Sequence, residues 1–173
     1  DSIKRDLSLL HAGMLGLDPN SGGIKVWVGG IDFRRYPYEQ IYAQRQVAST
    51  FKPILYAAAL ENGIKPCNYI SNDSLVLSDF DNWTPRNYDN SFGGKYSVAA
   101  ALAKSMNVPT VRLFLSLPFE ALHSMWSKLG FSQQLETNPS VALGTSSASI
   151  YELASAYAAF ANGGKKIQPY SVM

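Results

Sequence analysis

The stretch over residues 46–60, Gln-Val-Ala-Ser-Thr-Phe-Lys-Pro-Ile-Leu-Tyr-Ala-Ala-Ala-Leu, constrains this chain more than any other. From position 54 to 60 it has almost no polar face, and a helix apolar nearly all round belongs inside a core. Pro53 lacks an N–H and would clash with the carbonyl four residues back, so it fits only in or just beyond a first turn. The helix is therefore predicted to begin close to Ser49. Gly63, with Ile64 and Pro66 behind it, predicts a stop of the Schellman kind. Ser49 and Lys52 then lie one turn apart, on one face of the helix mouth.

That pairing can carry chemistry. A serine hydroxyl is a poor nucleophile until a neighbouring base takes its proton, and lysine can do so only if burial or nearby positive charge lowers its pKa. Backbone N–H groups at a helix mouth also suit an oxyanion developing on an attacked carbonyl. The structural alternative is a Ser49 that merely caps a helix beside a solvated Lys52. A second element, Ser105-Met106-Asn107, lies between a helical pattern starting near Ser97 and another carrying Pro109, Val111, Leu113, Phe114 and Leu115. A hydroxyl and a carboxamide on so tight a connection can converge on a cleft, the serine relaying a proton and the asparagine holding the lysine and a substrate amide. The alternative there is a turn serine and an N-capping asparagine.

The remainder of the chain bounds the answer. Its 173 residues suffice for one domain with a real core. No apolar run approaches the ~20 residues of a membrane span, and no signal-peptide pattern appears at Asp1, which places any export signal or anchor of a parent protein upstream. A formal charge of +2 is too mild to argue for nucleic acid, and Arg34, Arg35 and Arg45 make at most a small solvated patch. The single Cys67 excludes an internal disulfide and metal-ligand spacing, and no cofactor motif is present.

Ile3, Leu7 and Leu10 predict the tail of a helix, and 14–28 a β-hairpin around the turn formers Asp18-Pro19-Asn20-Ser21-Gly22-Gly23. Residues 31–44 have no sustained period and read as an ordered loop. Residues 67–95 are mostly irregular, with one short strand expected at Leu75-Val76-Leu77. Tyr69, Phe80, Trp83, Tyr88, Phe92 and Tyr96 predict a packed loop there. Pro118 starts a helix bearing Leu122, Met125, Trp126 and Leu129 and closed by Gly130; His123 beside that stripe, like His11 beside the hairpin, reads as structural. Ser149-Ile150-Tyr151-Glu152 is a capping box ahead of a last helix that Asn162-Gly163-Gly164 ends.

Taken together, several stretches resemble the transpeptidase domain of class A, bifunctional penicillin-binding proteins. They are Leu17-Asp18-Pro19 with Val28-Gly29-Gly30 and Asp32-Phe33; Arg45-Gln46 running into Ser49-Thr50-Phe51-Lys52-Pro53; Trp83-Thr84-Pro85-Arg86-Asn87-Tyr88; 101–110 around Ser105-Met106-Asn107; Ala142-Leu143-Gly144-Thr145; and Glu152-Leu153-Ala154 through Asn162-Gly163-Gly164. The resemblance implies an α+β, β-lactamase/transpeptidase-like fold over one partial domain, 1–173. That fold would be mostly helical with an N-terminal β-hairpin. It implies Ser49 as the acylated nucleophile, Lys52 as its base, and Ser105 and Asn107 as the second side of the cleft, with no cofactor and no metal. The implied partners are peptidoglycan stem peptides ending in D-Ala-D-Ala, and β-lactams. The implied parent is a bacterial cell-wall enzyme anchored upstream in the inner membrane, working on its extracytoplasmic (periplasmic) face and carrying a glycosyltransferase domain.

Two departures stand out. Val47 and Ala48 replace the Pro-Gly of many relatives. No Lys-Thr-Gly or Lys-Ser-Gly, the third element of the family signature, occurs. The chain stops at Met173, before the strand on which the family places that element. An incomplete sheet and an inactive or nearly inactive segment are therefore expected, with self-association through the open sheet edge as a hazard. Two other readings stand beside this one. A serine β-lactamase or β-lactam-sensing domain is one, although Glu136-Thr137-Asn138 does not resemble the β-lactamase loop that supplies a deacylating carboxylate. A non-catalytic binding or assembly fragment is the other.

Overall fold

The computed structural model describes residues 10–171. Along the chain run β1 (Met14–Leu17), β2 (Ile24–Val28), β3 (Arg45–Gln46), α1 (Lys52–Glu61), β4 (Tyr69–Ser71), β5 (Lys95–Ser97), α2 (Val98–Ala103), α3 (Asn107–Leu115), α4 (Phe119–Leu129), β6 (Ser147–Ala148) and α5 (Ile150–Ala161). The mixture is α+β, with helices predominating and every sheet two-stranded. The helical tail expected at the N-terminus falls almost wholly outside the described residues. Two compact units divide the described residues, one made of 10–45, 129–131 and 148–171, the other of 46–128 and 132–147.

In the first unit β1 and β2 form the expected antiparallel hairpin, Met14 facing Val28 and Leu17 facing Ile24. Asp18 organises the turn by accepting the Asn20 and Ser21 amides at 2.9 and 3.1 Å. Helix α5 packs on β1. Its start is the predicted capping box: Glu152 N donates to Ser149 Oγ at 3.2 Å, and Ser149 N to Glu152 Oε2 at 2.8 Å. Its end is tied to the hairpin turn through Asn162 Nδ2, which donates to the carbonyls of Pro19 and Lys165.

The second unit is built round α1, whose Ile54, Leu55, Ala58 and Ala59 are all but solvent-free. Helices α2 and α3 pack against it. Phe51, just ahead of α1, meets Trp126 of α4 with ring centroids 5.5 Å apart. The Gly63 stop is a full Schellman motif, Ile64 N donating to Ala59 O and Gly63 N to Leu60 O with Gly63 at φ 85°.

The start of α1 differs from the expectation in an instructive way. Ser49 lies in a 3₁₀ turn, Ala48–Phe51, and the α-helix proper begins at Lys52 with Pro53 in its first turn. The cause is the proline: the amide that would have bonded Ser49 O four residues back does not exist, and Lys52 N takes that carbonyl instead. Residues i and i+3 eclipse in a 3₁₀ turn, so Ser49 and Lys52 remain stacked on one side.

The loop over 67–95 also departs from its reading. The strand is Tyr69–Ser71, paired antiparallel with Lys95–Ser97, whereas Leu75-Val76-Leu77 contributes a single bridge from Leu77 to Trp83. Most of the aromatic residues do not bury themselves in this loop: Tyr69 and Tyr88 are exposed, Phe80 and Phe92 partly so, and only Trp83 and Tyr96 are half-buried. Its buried members are Pro85 and two asparagines, Asn72 and Asn87.

One glycine of this unit is irreplaceable. Gly144, at φ 79°, accepts the Ala48 amide at 2.9 Å, and a Cβ added to it would sit inside the Ala48 carbonyl. Gly144→Ala is expected to lower stability by about 2 kcal/mol or more in denaturant unfolding, because both strain and backbone overlap oppose it.

Candidate functional site

Four side chains singled out in the sequence belong to the second unit. Ser49 stands exposed on the 3₁₀ turn. That turn is fixed from one side by residues 144–146, through Ala48 N to Gly144 O at 2.9 Å and Val47 N to Ser146 O at 3.0 Å. Ala48 itself adopts a left-handed φ of 47°. Lys52, one turn on, is 1% exposed, an unusual place for an ammonium.

Helix α2 ends in a second Schellman motif: Met106 N donates to Ala101 O and Ser105 N to Leu102 O, with Ser105 at φ 50° in the position normally held by glycine. The left-handed residue turns the chain sharply into α3, which opens at Asn107. A serine there costs about 1 kcal/mol relative to glycine, so its hydroxyl is held in place against the local backbone preference.

The two parts meet at the lysine. Lys52 Nζ donates to Ser105 O at 2.6 Å, Asn107 Oδ1 at 2.7 Å and Ser105 Oγ at 3.1 Å. Three protons thus find three acceptors, none of them a carboxylate. Desolvation by burial, with no carboxylate partner to offset it, pushes the lysine pKa down from 10.5 to about 8. Asn107 is the first residue of α3 and does not cap it; its Nδ2 donates to Arg86 O at 2.8 Å, which turns Oδ1 toward the lysine.

The geometry suits proton transfer. A neutral amine keeps two donors, which fit the two short contacts to Ser105 O and Asn107 Oδ1, and its lone pair then falls toward the longer one, Ser105 Oγ. Ser105 can reverse its hydrogen bond as the lysine gains or loses a proton. Ser49, in the eclipsed position one turn before, heads the same face.

Among the other sequence candidates, His123 contacts Phe119 and His11 contacts Tyr36, ring to ring. Cys67 is exposed and free. Among the described residues no cluster of three or more His, Cys, Asp or Glu could hold a metal ion, and no helix is long and apolar enough to cross a membrane. Two contributors were given no role in the sequence, although both lie in stretches that carry the family resemblance. Gly144 had no local signal of its own beyond its place in a small-residue run. Asn87 sits in a loop dense with Asn, Asp and Ser, where one buried asparagine looks like the others.

Comparison with known proteins places these features in context. A family model described as the penicillin binding protein transpeptidase domain matches residues 13–173. Penicillin-binding protein 1A of Pseudomonas aeruginosa is 38% identical over 167 residues, covering 94% of this chain and 20% of that protein. Penicillin-binding protein 2D of Bacillus subtilis is 33% identical over 165 residues, covering 92% and 24%. The crystal structure of penicillin-binding protein 1A from Haemophilus influenzae superposes with a TM-score of 0.88 at 27% identity, over 92% of this chain and 25% of that one. The PonA1 protein from Mycobacterium tuberculosis in complex with penicillin V shares the fold, with a TM-score of 0.80 at 23% identity over 97% and 49% of the two chains. The chain thus spans about a fifth to a quarter of the length of these curated relatives.

Two stability measurements test the site. Because the folded pKa of Lys52 lies below its ordinary value, the unfolded chain binds the proton more tightly between about pH 8 and 10.5, and stability rises with pH across that window. Relative to Lys52→Met, the native chain is expected to gain about 3 kcal/mol from pH 8 to 10.5 and nothing below pH 7, read from urea midpoints. At the turn, Ser105→Gly is expected to be more stable than Ser105→Ala by about 1 kcal/mol, since both remove the hydroxyl and only glycine relieves the left-handed strain.

Proposed function

This chain belongs to the penicillin-binding protein transpeptidase family, and from that membership we propose that it is the acylating half of a peptidoglycan D,D-transpeptidase, with Ser49 as nucleophile. The observation that carries the reading is the buried Lys52 ammonium, bonded to Ser105 and Asn107 one turn behind an exposed serine. A lysine of pKa about 8 is neutral in about a tenth of the molecules at pH 7, enough to serve as a base.

In this reading Ser49 Oγ attacks the carbonyl carbon of a terminal D-Ala-D-Ala bond while its proton passes through the Ser105 hydroxyl to the lone pair of the neutral Lys52 amine, which serves as the base. The Ser49 backbone N–H, near the head of the 3₁₀ turn, faces the developing oxyanion. The C–N bond breaks, the proton passes by way of Ser105 to the departing amine, and D-alanine leaves an ester on Ser49. An amine of a neighbouring stem peptide then attacks the ester, loses its proton to the same relay and restores Ser49 while forming the cross-link. Asn107 holds Lys52 and presents its amide edge to the peptide. β-Lactams, as strained amides, would acylate the same oxygen. The parent protein, by this proposal, acts at the outer face of the bacterial inner membrane.

The 173 residues contain no Lys-Thr-Gly or Lys-Ser-Gly, the element that in this family lines the other wall of the cleft and supplies one oxyanion donor. Losing one such donor typically costs about 2.7–4 kcal/mol of transition-state stabilisation. The segment by itself is therefore expected to react with penicillin slowly or not at all.

Labelled penicillin followed by peptide mass mapping tests the proposal on two preparations, this chain and a longer protein in which it is joined to a Lys-Thr-Gly strand. In the longer protein a one-to-one adduct on the peptide bearing Ser49 is expected, absent in Ser49→Ala, with an acylation rate that climbs through an apparent pKa near 8. This chain alone should stay largely unlabelled over the same minutes. An adduct on another residue, or none in the longer protein, would overturn the assignment. Rapid turnover of a chromogenic β-lactam would replace it with a serine β-lactamase.

A further inference from the structure

The asparagine that faces Lys52 is held by a second asparagine from the long loop. Helix α3 opens after Met106, whose side chain cannot cap it. Its first two amides are nevertheless satisfied: Asn107 N and Val108 N both donate to Asn87 Oδ1, at 2.8 and 3.1 Å. Asn87 thus caps, from twenty residues away, the turn that carries Asn107. Its other end is as fully used, Nδ2 donating to Asn72 Oδ1 at 2.6 Å and to Ser91 O at 2.8 Å. Asn72, wholly buried, is locked by its own backbone, its N–H donating to Gly94 O and its carbonyl accepting from Gly93 N. The neighbouring carbonyl, Arg86 O, takes Asn107 Nδ2. Two donors and two acceptors on one buried residue fit asparagine and no other side chain of that size: aspartate lacks the donors, leucine lacks both.

We propose that Asn87, braced by Asn72, is a positioning residue for the acyl-transfer centre, fixing the start of α3 so that Asn107 Oδ1 meets Lys52 Nζ. It touches neither Lys52 nor, on the reading above, the substrate. Its action runs through Asn107 alone, and it makes the 67–95 loop part of the machinery. The proposal rests on the assignment of Lys52 as base for its meaning in catalysis, although the geometric coupling stands by itself.

Without Asn87 the two amides lose their acceptor and Asn107 loses its anchor, which admits water to the lysine and relieves its desolvation. The measurement is the titration of Lys52 in the 173-residue chain, followed by NMR of the ¹³C-labelled lysine side chain, which needs no acylation. In Asn87→Ala the Lys52 midpoint is expected to rise from about 8 toward 10.5. Each rise of one in that midpoint removes about tenfold of the neutral amine at pH 7. Asn72→Ala should shift it the same way and less, and provides the reading if Asn87→Ala does not fold. Asp73→Ala, in the same loop but bonded through its carboxylate only to Ser71, should leave it unchanged.

An unmoved midpoint in folded Asn87→Ala, or in Asn72→Ala where that variant replaces it, overturns the proposal. So does an equal shift in Asp73→Ala, which would mark general loosening. A shifted midpoint in the 173-residue chain, together with no acylation of Ser49 in the longer protein that carries a Lys-Thr-Gly strand, would leave the positioning role standing and discard the transpeptidase reading.

Discussion

The three hydrogen bonds of Lys52 Nζ are the interaction on which the second unit's geometry turns. An ammonium buried without a carboxylate is expensive, and the fold lowers that cost with neutral oxygens alone. A carboxylate in their place would have stabilised the charged form and made the lysine useless as a base. Two carbonyl-type oxygens at short range and a hydroxyl at longer range hold the group firmly while leaving its proton removable. Because those acceptors come from residues 105 and 107, the lysine also joins the mouth of α1 to the junction of α2 and α3.

Strain gathers at the same place. Ala48 and Ser105, both left-handed without being glycine, flank the nucleophile candidate and hold the relay candidate respectively. Local backbone strain of this kind persists where the surroundings over-determine it. Gly144 over-determines the first by pressing its backbone against Ala48, and the Schellman bonds of α2 over-determine the second. Glycine would take the positive φ of position 48 without penalty, so an alanine there keeps strain that a glycine would relieve.

Features encoded within a few residues were legible in the sequence. The Gly63 stop, the Ser149 capping box, the hairpin turn and the approximate start of α1 all follow from short-range chemistry, whereas the grouping of Lys52 with Ser105 and Asn107, whose hydrogen bonds the structure shows, was implied only by the family resemblance. What escaped notice depends on partners far along the chain. Tyr69–Ser71 became the strand because Lys95–Ser97 was available to pair with it, whereas Leu75-Val76-Leu77 had no such neighbour. The loop's aromatic residues suggested a packed interior, yet two buried asparagines hold it, and nothing in a local window separates Asn87 from Asn90. The 3₁₀ turn at Ser49 was hidden for another reason: Pro53 signalled a first turn correctly, but which carbonyl would go without its usual donor is a question of hydrogen-bond arithmetic within that turn.

The geometry gathers Lys52, Ser105 and Asn107 into one small constellation within a chain that spans only part of each relative. The account stands or falls on the state of a single amine. Titrating the Lys52 side chain of the unaltered chain by ¹³C NMR measures it directly: a midpoint near 8 is predicted, and a midpoint at the ordinary 10.5 would contradict the buried, carboxylate-free site described here.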